Sequence, residues 1–514
     1  MPRTLHACWG PTLLLALLLA SGEATAARSD WREMTVGHFH LYSTLRDSST
    51  REVARQLQVF EQTLEQILLS DDRLPDVPTL IYILNAHDYA KYAAPRAGTG
   101  GFFLDQPTAN ILVIDGDSGF DLTRAVVFHE YTHFFLRNSR SMQFPPWYSE
   151  GYAELFSSFR IDKGQALLGE FPSHVTLSLD SVDWIPMQRV LAVKQTDPEY
   201  RGERLAPQFY GEAWALVHLL LFDDHSLTAP TSRYLVNVNL GFGEPEAFAQ
   251  AFPFTKAGLD DAVRKLINCK IIHLKRVTFV NPVAVDEGPL TRLTAPQADT
   301  VLTRLTLMLG KPHEMVASLM DAAVKENPTD MGVRALAARV AAHTDRPFDA
   351  SELATRLAPG GTGDEQARID VADALLARED PGAVAAQVLA ILDGIVHADS
   401  PSIEAVGLWA AAAGLSQLDS DRALAVLEPA ARRVPHDTRF LWVLARIREN
   451  RGEKAKAREL YTRIIVVSAV PEERSRAQKQ ADSAWMQDEP PQPPAAEPAP
   501  SRPPKRETKP PPKS

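Results

Sequence analysis

Two histidines in the sequence HEYTH, at residues 129–133, are spaced for metal binding. On an α-helix, positions four apart lie on one face, so His129 and His133 can face a single ion. The apolar residues on either side, 126–128 and 134–136, are typical of a helix packed in a core. The spacing predicts a metal-binding helix, although HExxH sequences also occur by chance in ordinary helices.

A second segment, WYSEGYAE at residues 147–154, carries two further acids. A tetrahedral Zn²⁺ ion held by two imidazoles needs one more protein ligand and keeps one open position for water. Glu150 and Glu154 are four residues apart, so they share a face of a second helix, which Pro146 can begin. We predict that Glu150 is the third ligand and that Glu154 accepts the free N–H of a ligand histidine.

Glu130, beside the first histidine, is the predicted general base. Zinc lowers the pKa of a bound water to about 7, and an adjacent carboxylate can take the proton and pass it to the leaving amine. A solvated helix face would not explain this glutamate between apolar neighbours. Gly151 lacks a side chain, so the second helix can approach another backbone closely. The two segments together predict a mononuclear zinc hydrolase.

The two segments together resemble the gluzincin metallopeptidases, in which a WxxEG segment carries the glutamate ligand, and more narrowly the peptidase MA-like families. The likeness extends to FYGEAWALVH at residues 209–218, where Glu212 and Ala213 replace the usual polar residue and serine. The resemblance covers roughly residues 31–275. It implies an α+β gluzincin-like fold, one Zn²⁺ ion and hydrolysis of peptide bonds, without indicating a substrate.

Tyr210 begins the predicted helix whose apolar part is 216–222, and it is the candidate donor to the oxyanion. A tyrosine or histidine opposite the zinc commonly has this role. The competing interpretation is a packed core tyrosine whose hydroxyl is bonded elsewhere. His174 and His218 are weaker candidates, and we expect His218, within an apolar run, to be structural.

Residues 1–26 have the pattern of a signal peptide, with Arg3, an apolar run and an A-x-A cleavage site. An uncleaved anchor is the alternative, but the run is shorter than the ~20 residues needed to span a bilayer. We expect an exported, periplasmic protein without a membrane span after cleavage. The net charge of −11 over 514 residues offers no basic surface for nucleic acid.

The segment 27–275 is the predicted peptidase domain. Its expected elements are a strand at 38–43, a helix ending at Leu68, a strand at Thr79–Leu84 and a hairpin from 102 to 114. The strand just before the HEYTH helix could be an open sheet edge, where an extended peptide pairs. A strand covered on both sides is the competing interpretation.

Residues 276–298 are predicted to be a connector that includes one strand, and residues 299–486 to be helical repeats. A period of 34 residues relates Ala411, Ala423, Leu427 and Ala430 to Ala445, Ala457, Tyr461 and Ile464. This pattern resembles the tetratricopeptide repeat, whose stacked helices present a concave surface to a protein partner. An unrelated helical bundle is the alternative. Residues 487–514 are Pro-rich and expected to be disordered.

The predictions combine into an exported zinc metallopeptidase of gluzincin type, followed by an all-α, tetratricopeptide-like solenoid. Its partners would be a peptide or protein substrate and a protein bound by the repeats. The competing hypothesis is a non-catalytic envelope scaffold that works through its repeats. A third possibility is hydrolysis of another amide, such as one in cell-wall material.

Overall fold

The computed structural model describes residues 30–68, 77–94, 100–106, 108–139, 144–172, 184–202, 204–269, 272–279, 285–344, 346–348, 350–357, 364–377, 380–416, 420–435, 437–468 and 470–486. The predicted signal peptide at 1–26 and the Pro-rich tail at 487–514 lie outside these residues, as does His174, and the first two stay predictions. None of the described helices combines the length and apolar character that crossing a membrane requires.

Nine strands in the described residues form two sheets. They are β1 Arg32–Val36, β2 Phe39–Ser43, β3 Thr79–Leu84, β4 Gly101–Gln106, β5 Ala109–Asp115, β6 Arg160–Asp162, β7 Gln165–Leu168, β8 Lys275–Val277 and β9 Leu290–Arg292. The larger sheet is mixed and has the order β4-β5-β3-β2-β1-β9, with β2, β3 and β5 parallel. The smaller sheet, β6-β7-β8, is antiparallel.

The strand before the HEYTH helix, β5, is not an edge strand. The predicted hairpin forms, with Phe103 of β4 opposite Leu112 of β5, while β5 also pairs with β3. The expectation of an open edge at β5 is therefore wrong, because β4 folds back over it. Among the described residues, β4 is the edge strand on this side of the sheet and β9 is the edge strand on the other side.

The α-helices of four or more residues are interspersed with these strands at first and then dominate the chain. They are α1 Asp47–Leu68, α2 Phe120–Ser139, α3 Pro146–Ser157, α4 Met187–Ala192, α5 Pro198–Arg201, α6 Ala206–His218, α7 Thr228–Asn239, α8 Glu244–Ala251, α9 Lys256–Cys269, α10 Ala295–Met308, α11 His313–Glu326, α12 Met331–His343, α13 Ser351–Arg356, α14 Glu365–Leu376, α15 Ala385–Val396, α16 Ile403–Leu415, α17 Ser420–Arg433, α18 Thr438–Asn450, α19 Lys454–Val467 and α20 Pro471–Met486. The protein is thus mostly helical and contains a mixed sheet.

Both faces of the larger sheet are covered, which explains why its central strands are apolar at almost every position. Ile81, Ile83 and Ile114 face a core shared with α1 and α2. Alternate residues, such as Tyr82 and Val113, face a second core that includes residues of α10. Helix α10 therefore packs on the sheet, and β9, within the predicted connector, completes its far edge. The predicted domain limits stay predictions.

Successive helices from α10 to α16 pack against each other. One buried carboxylate forms ion pairs with two arginines and so joins three of these helices. Asp370 of α14 is fully buried and accepts from Arg304 of α10 at 2.9 and 2.6 Å. Arg339 of α12 donates to the same carboxylate at 3.2 Å. Such a pair is costly to break from one side only, because the remaining charge stays buried.

Residues 420–431 and the described residues between 437 and 486 belong to a separate compact unit. Its described helices α18, α19 and α20 share a core with Ala445, Ala457, Tyr461 and Ile464, the residues of the predicted repeat. A turn follows α18, with Gly452 at a φ of +74°. In the larger unit, by contrast, Ala411 is exposed and Ala412 is buried, so the proposed equivalence of Ala411 to a packing position is wrong.

Helices α3 and α6 pack unusually closely through Gly151, as the sequence predicts. A Cβ atom on Gly151 would lie 2.2 Å from the Ala213 carbonyl oxygen and 2.7 Å from Val217 Cγ2. Neither neighbour can yield easily, because one atom is backbone and the other belongs to a fully buried side chain. The contact sets the position of α3.

Gly151→Ala should destabilise the protein by about 1–3 kcal/mol, because overpacking outweighs the better helix propensity of alanine. Urea unfolding followed by tryptophan fluorescence measures this change, since Trp147 is buried on α3. Gly258→Ala is the matched control, because Gly258 is an exposed helical glycine whose added Cβ would meet Thr255 Oγ1 at 3.5 Å. Equal stability of the two variants would contradict the close contact.

Candidate metal centre

Helices α2 and α3 bring the predicted ligands together. Helix α2 is apolar on most sides and buried through residues 131–136, so its position is fixed by the core. Pro146 is the first residue of α3, as expected. His133 and Glu150 are buried and His129 is partly buried, with a side chain 15% exposed. The three therefore converge at a site with little access to solvent.

The three ligand atoms form a nearly equilateral triangle. His129 Nε2 lies 3.2 Å from His133 Nε2 and 3.4 Å from Glu150 Oε2. His133 Nε2 lies 3.3 Å from the same oxygen. A tetrahedral Zn²⁺ with bonds of about 2.0–2.1 Å requires ligand atoms about 3.3–3.4 Å apart. The donor set and its spacing fit this ion.

The outward ring nitrogens also have partners. His133 Nδ1 lies 3.1 Å from Ser149 Oγ, and His129 Nδ1 lies 3.6 Å from Glu154 Oε1. Carboxylate or hydroxyl partners at this nitrogen hold the ring so that the other nitrogen points to the metal. The structure thus places Glu154 beside His129, where the sequence predicts a histidine partner. The contact of Ser149 was not predicted, although Ser149 precedes Glu150 directly.

Two tyrosines lie beside the site. The Tyr200 hydroxyl donates to Glu150 Oε1 at 2.7 Å. The Tyr210 ring lies 6.5 Å from the His129 ring and 6.2 Å from the Tyr200 ring, centroid to centroid. The structure therefore brings the predicted Tyr210 close to the cluster and adds Tyr200, which sequence analysis missed.

The electrostatics of the site favour positive charge. Burial opposes protonation of His129, but the carboxylates of Glu154 and Glu150 outweigh it and raise the pKa of His129 to about 9. Burial likewise opposes ionisation of Glu150, yet His133 and His129 hold its pKa far below the usual range. Burial, together with Glu150 and Glu130, raises the pKa of Tyr210. Glu130 is partly buried, and its charge acts on both His129 and Tyr210.

His218 is structural, in agreement with the sequence. It is fully buried, and its ring lies 5.2 Å from that of Trp214 and 5.8 Å from that of Phe222. Burial lowers the pKa of His218 to about 4, so the ring is neutral at physiological pH.

The comparisons with known proteins leave the family open. No protein-family model matches the chain. No curated protein matches it either. A solved structure to which the chain is similar is yeast Tom70, with 12% identity over 61% of this chain and 69% of that chain, at a TM-score of 0.28. Agreement at this level carries no functional argument.

Glu212 is a buried acid in α6. Its Oε1 atom accepts from the backbone N–H of Ile185 at 2.8 Å and from the Gln208 amide. Burial raises the pKa of Glu212 from 4.5 to about 8. The carboxyl group is therefore mostly protonated at neutral pH, and its ionisation opposes folding.

The stability of the wild type should fall as pH rises from about 4.5 to about 8, because the folded state holds a proton that the unfolded state releases. Glu212→Gln imitates the protonated group and should remove this contribution, which is at most about 5 kcal/mol. Urea unfolding of both proteins between pH 4 and pH 9 tests the effect. Parallel stability profiles would show that Glu212 does not bury a proton.

Proposed function

We propose that this protein is a zinc-dependent metallopeptidase of gluzincin type. His129, His133 and Glu150 hold the ion, Glu130 is the general base, and Tyr210 is a donor to the oxyanion. An exported, periplasmic location, expected from residues 1–26, is part of this proposal.

The observation that carries the proposal is the triangle of donor atoms. Two imidazole nitrogens and one carboxylate oxygen, mutually 3.2–3.4 Å apart, point to one position. Hydrogen bonds account poorly for this arrangement, because each Nε2 atom carries at most one hydrogen. If both histidines donate to Glu150 Oε2, their two N–H groups lie against each other at 3.2 Å. One cation at the shared position satisfies all three atoms. Two nitrogens and one oxygen also favour zinc over magnesium or calcium.

The chemistry follows from the residues around that position. Zinc bound there would lower the pKa of a water molecule and polarise the substrate carbonyl. Glu130, one residue from His129, would take the proton of the attacking water and deliver it to the leaving nitrogen. The Tyr210 hydroxyl would donate to the oxygen on which negative charge develops. His133 and His129 are kept oriented by Ser149 and Glu154.

The substrate could bind as an added strand. β4 is an edge strand of the large sheet, and it lies against α2, since a Cβ atom on Gly101 would meet Val126 Cγ1 at 2.5 Å. An extended peptide pairing with β4 would thus run beside the helix that carries His129 and Glu130. This binding mode suits peptide bonds better than an amide within a branched cell-wall polymer.

The alternative function is a protein-binding scaffold that uses the helices from α10 onward. Successive packed helices are a common platform for protein partners. This alternative explains the helical part of the chain but leaves Glu130 and the ligand triangle without a role. The two functions are also compatible, with the helices supplying a partner or substrate to the catalytic part.

Wild-type protein should bind one equivalent of zinc and cleave peptides, and Glu130→Gln should keep the zinc while losing activity by about 10²–10⁴-fold. The zinc content is measured by elemental analysis after dialysis, and cleavage by mass spectrometry of a proteome-derived peptide library. Glu150→Gln should reduce both zinc content and activity, because it removes a ligand.

Glu246→Gln, at an exposed position of α8, controls for the loss of a carboxylate elsewhere. A wild type that retains no zinc, or a Glu130→Gln variant that cleaves at the wild-type rate, would refute the proposal. The scaffold function would be favoured if the wild type bound zinc but cleaved no peptide, and if all three variants bound protein partners as well as the wild type.

A further inference from the structure

The two oxygens of the Glu150 carboxylate have different partners. Oε2 faces both ligand histidines, at 3.4 Å from His129 Nε2 and 3.3 Å from His133 Nε2. Oε1 instead accepts the hydroxyl proton of Tyr200 at 2.7 Å. The carboxylate is therefore oriented with one oxygen turned to the shared position and the other turned away.

We propose that Tyr200 is a positioning residue that makes Glu150 a single-oxygen ligand. The proposal rests on the zinc site proposed above. A carboxylate free to rotate can place both oxygens on a metal and thereby occupy the position that water needs. By engaging Oε1, the Tyr200 hydroxyl leaves Oε2 for the ion and keeps the fourth position open.

The position of Tyr200 is itself constrained. Tyr200 lies in the short helix α5, and two acids just before Tyr200 in the chain, Asp197 and Glu199, are held by Arg189 of α4. The Arg189 guanidinium donates to both oxygens of Glu199 at 2.8 Å and to Asp197 Oδ2 at 2.9 Å. Bidentate contacts of this kind fix orientation as well as distance. On its other side, the Tyr200 ring packs edge-on against Phe209 of α6, with centroids 6.2 Å apart.

Tyr200 and Tyr210 should therefore have different roles, Tyr200 in metal binding and Tyr210 in catalysis. Tyr200 contacts the predicted ligand directly, whereas Tyr210 contacts the His129 ring and is assigned to the oxyanion. Loss of the Tyr200 hydroxyl should weaken metal binding before any substrate is present. Loss of the Tyr210 hydroxyl should impair catalysis and leave metal binding unchanged. A tyrosine that only fills space would affect neither metal affinity nor coordination.

The test is zinc affinity of the full chain, measured by competition with a chromophoric chelator. Tyr200→Phe keeps the ring and should weaken zinc binding about 10–100-fold, the range typical of partners that orient a ligand. Tyr210→Phe is the matched control and should bind zinc like the wild type. Arg189→Gln should weaken binding in the same direction but less, because it loosens α5 without removing the hydroxyl.

The visible spectrum of the Co²⁺-substituted protein reports coordination number separately from affinity and activity. The wild type should give the intense bands of a four-coordinate site, and Tyr200→Phe the weaker bands of a higher-coordinate one. Unchanged affinity, or reduced affinity with an unchanged spectrum, would overturn the role of Tyr200 while leaving the zinc site intact. A wild type that binds neither metal would overturn the proposed function itself. If Tyr200→Phe fails to fold, Arg189→Gln decides by the same two readouts.

Discussion

The burial of the Glu150 carboxylate beside two imidazoles is the constraint on which the site depends. Removing an ionised carboxylate from water is costly unless charge and hydrogen bonds compensate it. Glu150 is 4% exposed, and its neighbours are His129, His133 and the Tyr200 hydroxyl. A divalent cation at the shared position would satisfy these groups together. If these groups lay an ångström or two further apart, the buried carboxylate would lose its compensating contacts, and its burial would destabilise the fold.

The fold maintains this convergence through packing contacts outside the cluster of donor atoms. Covering both faces of the sheet fixes α2, and the absence of a side chain at Gly151 allows α3 to lie against α6. Helix α6 also carries Tyr210, so the same contact sets the distance between Glu150, the proposed ligand on α3, and the proposed oxyanion donor. Small shifts of α3 would therefore disturb the proposed ligand and the proposed donor together.

The sequence predicted correctly those features of the site that depend on the spacing of nearby residues. Residues four apart share a face of one helix, a proline can begin a helix, and a glycine allows close packing, and each of these effects acts within one or two helical turns. The structure confirms that Pro146 begins α3 and that Gly151 allows the close contact with α6. Tyr200 was missed because it is 50 residues from Glu150 in the chain, and no local pattern marks that contact. Strands β1 and β9 were missed for a related reason, since each is short and stabilised by pairing with a distant partner.

The position of the edge strand could not be predicted from neighbouring residues alone. The hairpin of β4 and β5 was evident, but which strand remained unpaired depended on the parallel pairing of β5 with β3, thirty residues earlier in the chain. Ala411 illustrates the same limit at the level of one residue, since a repeat period matches positions only approximately and Ala412 occupies the buried site. Pairing and register are properties of the whole fold.

The most direct test of zinc coordination by His129, His133 and Glu150 is a crystal structure of the zinc-loaded protein, with anomalous diffraction measured at the zinc absorption edge. One strong anomalous peak is expected within about 2.0–2.2 Å of His129 Nε2, His133 Nε2 and Glu150 Oε2. A peak located elsewhere, or a zinc ion bound by the two histidines with Glu150 turned away, would contradict this coordination.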